Sequence, residues 1–82
     1  MRINYTLHAE EKLKRSDIKK FKIGKNRIEN ALKYSKRKSK TKYGQYAALT
    51  TLDKGHDLRV VYDIIGKDLK VITFHIARKG RY

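Results

Sequence analysis

The sequence predicts an α+β domain in which two N-terminal helices pack on an antiparallel sheet of three or four strands. Apolar residues recur at helical spacing in the first half of the chain, whereas runs of β-branched and aromatic residues fill the second half. The chain has 82 residues, which suits one small domain. We therefore expect a single domain over residues 1–82.

Two helices are expected in the first half. Thr6 can cap a helix that begins at the next residue, and Ala9 and Leu13 then recur four residues apart. A second helix is expected over residues 25–34, where apolar positions form one stripe. That stripe consists of Ile28, Ala31 and Leu32.

Three strands are expected in the second half, over residues 43–52, 58–65 and 69–76, because these runs are rich in strong β formers. The last two are joined by Gly66-Lys67-Asp68, a connection short enough only for an antiparallel hairpin. Residues 2–5 are a further candidate for an edge strand.

The register of this hairpin follows from the alternation of side chains. With a three-residue loop, Ile65 lies opposite Leu69, so Val61 faces Thr73 and Arg59 faces His75. The expected core face then consists of Val60, Tyr62, Ile64, Ile72, Phe74 and Ile76. The opposite face carries Arg59, Thr73 and His75 together.

The charge of the chain is its dominant feature. There are 22 Lys and Arg against 8 Asp and Glu, which gives a net charge of +14. Such charge repels itself in a compact state, and a phosphate backbone would relieve the repulsion and release counterions. A membrane surface fits less well, because no helix pairs a basic face with bulky aromatic residues. We expect a nucleic-acid partner.

The cellular setting follows from what the sequence lacks. No run approaches the roughly 18 apolar residues of a membrane helix, and the N-terminus has no apolar stretch of signal-peptide length. A cytoplasmic location without a membrane partner is therefore expected. The chain contains no cysteine, which excludes disulfides and thiolate chemistry.

Residues 33–42 hold six basic residues and no acid. A run of this kind is typical of a mobile, solvated loop, and we expect it to contact phosphates together with two arginines elsewhere in the chain. The predicted nucleic-acid-binding residues are Arg15, Lys33, Lys36, Arg37, Lys38, Lys40, Lys42 and Arg81.

The motifs leave one kind of chemistry open. The three histidines are widely separated, and neither a phosphate-binding glycine loop nor a nucleophile motif is present, so no metal and no cofactor are expected. RNA supplies its own 2′-hydroxyl nucleophile, and its cleavage needs only a base, an acid and cations near the phosphate. The candidate catalytic residues are His8, Arg59, His75, Arg78 and Tyr82.

Three segments resemble a known family. Thr6-Leu7-His8-Ala9, followed by Lys12 and Arg15, is similar to the T-x-H-A opening of a group of small uncharacterised domains. Arg59-Val60-Val61-Tyr62 and Val71-Ile72-Thr73 are similar to the paired strands of that group. The group resembles the RelE/ParE/BrnT toxin superfamily.

The resemblance implies helices on an antiparallel sheet, in the RelE-like arrangement, and a toxin–antitoxin function. It implies a metal-independent endoribonuclease, with ribosome-associated RNA as one candidate substrate and an acidic antitoxin protein as a partner. It also implies a site near the C-terminal strand, where Arg59, His75, Arg78 and Tyr82 stand here. Lys12 departs from the pattern, which often has arginine there. A non-catalytic nucleic-acid-binding protein and a gyrase-inhibiting toxin stay open as alternatives, and the oligomeric state is undetermined.

Overall fold

The computed structural model describes residues 2–79. This part of the chain forms three helices and five strands. In order they are β1 (Ile3–Tyr5), α1 (Leu7–Lys12), α2 (Ser16–Lys20), α3 (Lys25–Tyr34), β2 (Arg37–Lys40), β3 (Tyr46–Thr51), β4 (His56–Ile65) and β5 (Asp68–Arg78). None of the helices in residues 2–79 has the length and apolarity to cross a membrane.

The strands form one mixed sheet in the order β1-β5-β4-β3-β2. The three predicted strands are its antiparallel centre, and β1 pairs parallel to β5 at one edge. The α+β class is confirmed, but the predicted count of two helices on three or four antiparallel strands is wrong. The third helix is the short α2, whose buried residue is Ile18. The candidate edge strand over residues 2–5 is present as β1.

The core lies between the helices and one face of the sheet. Ala9 of α1, Ile18 of α2 and Ile28 of α3 are fully or almost fully buried against Val60 and Phe74 of the central strands. Each of the larger side chains in this set contributes about 1.5–3 kcal/mol through burial. The apolar stripe of α3 and the apolar residues on one face of β4 therefore pack together in one hydrophobic layer.

The prediction of a mobile loop over residues 33–42 is wrong. Residues 33 and 34 end α3, and residues 37–40 form β2, which pairs antiparallel with β3 at the outer edge of the sheet. All four residues of β2 are exposed. Lysine-rich edge strands are common because charge discourages pairing with another chain.

The predicted register holds over only part of the hairpin. Arg59 faces His75 and Val61 faces Thr73, as predicted. The pairing then passes to Tyr62 opposite Val71, which leaves Ile72 as the extra residue of a β-bulge on β5.

The bulge changes which residues reach the core. Val71 is fully buried in place of Ile72, and Ile64, which was predicted to be buried, is about half exposed. Ile65 pairs with Asp68 instead of Leu69, so the loop has two residues. Gly66 begins that loop at a φ of +61°, a conformation that two-residue hairpins require and glycine adopts at no steric cost.

Candidate nucleic-acid interface

The helices pack on one face of the sheet. The opposite face, here called the open face, carries a row of four residues that includes two arginines. His75, Arg59, Leu49 and Arg37 are successive cross-strand partners on β5, β4, β3 and β2. Neighbouring strands lie about 4.8 Å apart. The two guanidinium groups therefore start from strands about 10 Å apart, with an apolar side chain between them.

A buried carboxylate holds one end of this row. Asp57, two residues before Arg59 on the same strand face, has no exposed surface and is the one buried charged residue among residues 2–79. Arg37 Nη2 lies 3.7 Å from Asp57 Oδ2. A buried carboxylate is costly without compensating charge, so the ion pair with Arg37 offsets part of the cost of burying Asp57.

The β-bulge attaches α1 to the edge of the sheet. Because β1 pairs only with Leu69–Val71, the rest of β5 has no strand on its outer side. Thr6 binds there: its N–H donates to Val71 O at 3.0 Å and its hydroxyl donates to Ile72 O at 2.9 Å. The same Oγ1 accepts the N–H of Ala9 at 3.1 Å and caps α1. Thr6 thereby sets the position of α1 against β5.

Lys12 reaches the boundary between the two faces of β5. Its Nζ lies 5.5 Å from the ring centroid of Phe74, which is in the core, and donates to His75 Nδ1 at 3.4 Å. A lysine ammonium has only donors, so Nδ1 accepts and the neutral imidazole carries its proton on Nε2. Burial lowers the pKa of Lys12, and the nearby Arg15 charge lowers it further.

Three basic side chains converge at His75. Partial burial is the largest cause that lowers the pKa of His75, and the charges of Lys12, Arg59 and His8 lower it further. The imidazole is therefore neutral near pH 7 and can accept a proton. We call His8, Lys12, Arg59 and His75 the cationic cluster. It combines a neutral base with cations that can bind an anion.

Two shallow grooves on the open face meet at Arg59. One, of about 640 Å³, is lined by Arg37, Lys38, Leu49 and Ala77, among others. The other, of about 460 Å³, lies beside the turn between β2 and β3. Its lining residues are Thr41, Lys42, Tyr43, Gln45, Arg59, Val61 and Thr73. Both grooves are large enough for part of a nucleotide.

The structure brings together three of the five predicted catalytic residues, His8, Arg59 and His75. Arg78 lies on the other face, because it pairs with His56, whose ring contacts Phe21 in the helical layer at a centroid distance of 5.1 Å. Arg78 therefore lies apart from His75, since three positions separate them and strand residues alternate between the two faces; its catalytic role stays a prediction. Tyr82 lies outside the described residues.

The predicted nucleic-acid-binding residues do not share one surface. Arg37 and Lys42 line the open-face grooves. Lys38 borders one groove, but its cross-strand partner Ala48 belongs to the core face, as does Tyr46, the partner of Lys40. The remaining predicted positions are scattered. Lys33 is exposed on α3, Lys36 is exposed before β2, Arg15 pairs with Asp17 at 3.2 Å, and Arg81 lies outside the described residues.

Sequence reasoning assigned no role to Lys12 or Asp57. Lys12 follows His8 by four residues, which is the spacing of one helix face. Asp57 precedes Arg59 by two residues, which is the spacing of one strand face. These spacings were the available signals. Neither of them indicates that Lys12 contacts His75 of β5 or that Asp57 pairs with Arg37 of β2.

Within residues 2–79, no group of three or more His, Asp or Glu side chains is arranged to hold a metal ion. Comparisons with protein-family models, curated proteins and solved structures gave no match to this chain. The function must therefore be argued from the geometry of the open face.

Proposed function

We propose that this protein binds single-stranded RNA on the open face and cleaves it at the cationic cluster without a metal ion. The observation that carries the proposal is the convergence of Lys12, Arg59 and His8 on a histidine whose pKa is lowered. The sequence resemblance to the RelE/ParE/BrnT toxin superfamily adds support to this proposal.

The proposed reaction is transfer of the phosphate to the 2′-oxygen. His75 accepts the 2′-hydroxyl proton, the 2′-oxygen bonds to phosphorus, and the bond from phosphorus to the 5′-oxygen breaks. The products are a 2′,3′-cyclic phosphate and a 5′-hydroxyl, whose proton comes from an acid such as His8. Arg59 and Lys12 stabilise the negative charge that develops on the phosphoryl oxygens.

Lys12 must change partner for this reaction to proceed. In the free protein it donates to His75 Nδ1, so the lone pair that a base needs is occupied. A phosphate oxygen is a stronger acceptor for an ammonium than a neutral imidazole is. When RNA binds, Lys12 turns to the phosphate and frees Nδ1 for the 2′-hydroxyl proton.

The charge distribution favours an extended polyanion as substrate. Arg37 and Lys42 line the grooves on either side of Arg59, and the net charge of the chain is +14. A toxin of this kind would act in the cytoplasm and be neutralised by an acidic antitoxin, which would compete with RNA for the same basic surface.

The test is cleavage of labelled RNA in EDTA by the protein and by His75→Ala. We expect cleavage that persists in EDTA, ends in a 2′,3′-cyclic phosphate, and stops when 2′-deoxynucleotides replace ribonucleotides. His56→Ala is the matched control, because His56 lies on the other face and pairs with Asp53 at 2.9 Å. We expect His75→Ala to lose at least about a hundredfold in rate and His56→Ala to cleave normally.

Two outcomes would contradict the proposal. Equal loss in the two histidine variants would show that the cationic cluster is not the reaction site. Tight binding without cleavage, across a panel of transcripts and translating ribosomes, would replace the enzyme with a non-catalytic RNA-binding protein that uses the same face.

A further inference from the structure

The smaller groove beside Arg59 differs from the rest of the open face because aromatic and amide groups accompany its cations. Tyr43 stands in the turn between β2 and β3 and is 78% exposed. Its ring centroid lies 5.3 Å from Lys42 Nζ. Exposed aromatic rings next to basic side chains are the usual stacking surfaces for the bases of single-stranded RNA.

The floor of this groove holds an unsatisfied hydroxyl. Thr73 Oγ1 is buried and has no hydrogen-bond partner among the described residues. A buried polar atom without a partner is destabilising, so a ligand that supplies the partner recovers this free energy. The Gln45 amide lines the same groove and offers both a donor and an acceptor. Val61 gives the groove an apolar base.

We propose that this groove binds one nucleobase of the RNA strand, with Tyr43 stacking on the base and Gln45 and Thr73 contacting its edge. This inference rests on the proposed function and names the part of the substrate that the cluster alone does not recognise. Arg59 lines the groove and also belongs to the cationic cluster. The bound base therefore belongs to a nucleotide next to the cleaved phosphate.

Arg59 links the two events. Thr73 Oγ1 is shielded in the free protein, so a base edge reaches it only after a neighbouring side chain moves. Arg59 has the longest flexible side chain in the groove. When it turns toward the phosphate, it uncovers the hydroxyl that the base then meets.

The experiment measures binding of short single-stranded oligonucleotides with 2′-O-methyl groups, which cannot be cleaved through the 2′-oxygen. We expect Tyr43→Ala to weaken binding roughly tenfold, because one stacked base is lost. Tyr43→Phe keeps the ring and should bind normally. Tyr34→Ala is the matched control, because Tyr34 is 75% exposed on α3 and does not line this groove.

A series of oligonucleotides with one abasic position each locates the bound base. At one position, base removal should weaken binding to the parent protein more than binding to Tyr43→Ala, which has already lost the stacking contact. Gln45→Ala and Thr73→Val should alter the relative affinities for the four bases at that position.

Three results would overturn the proposal: full affinity in Tyr43→Ala, equal losses in the Tyr43 and Tyr34 variants, or a Tyr43 effect that persists at every abasic position. Cleavage plays no part in these readouts. The base site therefore stands if binding behaves as expected and the protein cuts no RNA, and it fails alone if RNA is cut and Tyr43 has no effect.

Discussion

The two faces of this sheet come from the same strands but use their residues in opposite ways. On the helical face, Leu58, Val60 and Phe74 have no exposed surface and are packed by all three helices. On the open face, the alternate residues Asp57, Arg59 and His75 gather charge. The residues that stabilise the fold therefore alternate along β4 and β5 with the residues of the candidate site. Substitutions on the helical face should change mainly stability, and substitutions on the open face should change mainly RNA cleavage.

The largest expected effect is on stability and comes from the helical face. Phe74→Ala should lower the free energy of unfolding by about 3–5 kcal/mol, because it leaves a cavity in the core. Thr73→Val is the control on the adjacent residue and should not destabilise the protein, because it removes a buried hydroxyl that has no partner among the described residues. Denaturant unfolding measures both. Equal destabilisation would show that the open face is also part of the core.

The next effect is on cleavage and compares two arginines of the same hairpin. Arg59→Ala should reduce the rate of RNA cleavage about a hundredfold or more, because it removes charge stabilisation at the phosphate. Arg78→Ala lies on the other face and should cleave normally. Single-turnover rates on labelled RNA decide the matter, and a comparable loss in Arg78→Ala would break the division between the faces.

A third effect compares equal changes of charge on the two sides. Replacing Lys42, which lines an open-face groove, with glutamine should lower the slope of log affinity against log salt by about 0.7. The same replacement of Lys40, whose cross-strand partner Tyr46 packs against the core, should leave the slope unchanged. Titrations of single-stranded RNA at several salt concentrations measure both variants. Identical slopes would mean that RNA responds to net charge alone.

A fourth effect tests the attachment of α1 to the β-bulge. Thr6→Ala removes the N-cap and the hydrogen bond to Ile72 O, and it should cost about 1 kcal/mol of stability. It should also slow cleavage, because α1 carries His8 and Lys12. Thr6→Ser keeps the hydroxyl and should restore both. A destabilised variant with normal cleavage would show that α1 does not position the cluster.

The smallest effect is on the titration of His75. The pKa of His75 in the folded protein lies below the ordinary value of 6.5. Between these two values the unfolded chain binds more protons, so the free energy of unfolding decreases as the pH falls through this range. Lys12→Gln should raise this pKa without restoring the ordinary value, because burial is the larger cause. Inorganic phosphate should raise it further. NMR titration measures the shift, and an unchanged pKa in Lys12→Gln would separate Lys12 from the cluster.

The sequence carried a signal of the bulge that simple alternation missed. Leu69 and Val71 share one phase of the strand pattern, whereas Phe74 and Ile76 follow the other phase. The β4 residues keep a single phase from Leu58 to Ile64. A phase change on one strand alone indicates an extra residue in that strand. The predicted register placed the extra residue in the loop, which was given three residues, and not at Ile72.

The pairing of Arg59 with His75 and the helical stripe of α3 could be read from the sequence, because both follow from local periodicity and the burial of one face. The basic run could not be divided between two surfaces. Its positions depend on β2 pairing with β3 and on the ion pair between Arg37 and Asp57, which are 20 residues apart in the sequence.

The sequence by itself determined the α+β class, the excess of positive charge and the two faces of the central hairpin, since composition and alternation act locally. Only the tertiary structure decided that Lys12 meets His75, that Arg78 lies away from it, and that Tyr43 and Thr73 share a groove. These juxtapositions join distant parts of the chain through strand pairing and the docking of α1, and no local pattern encodes a contact between side chains that separate elements bring together.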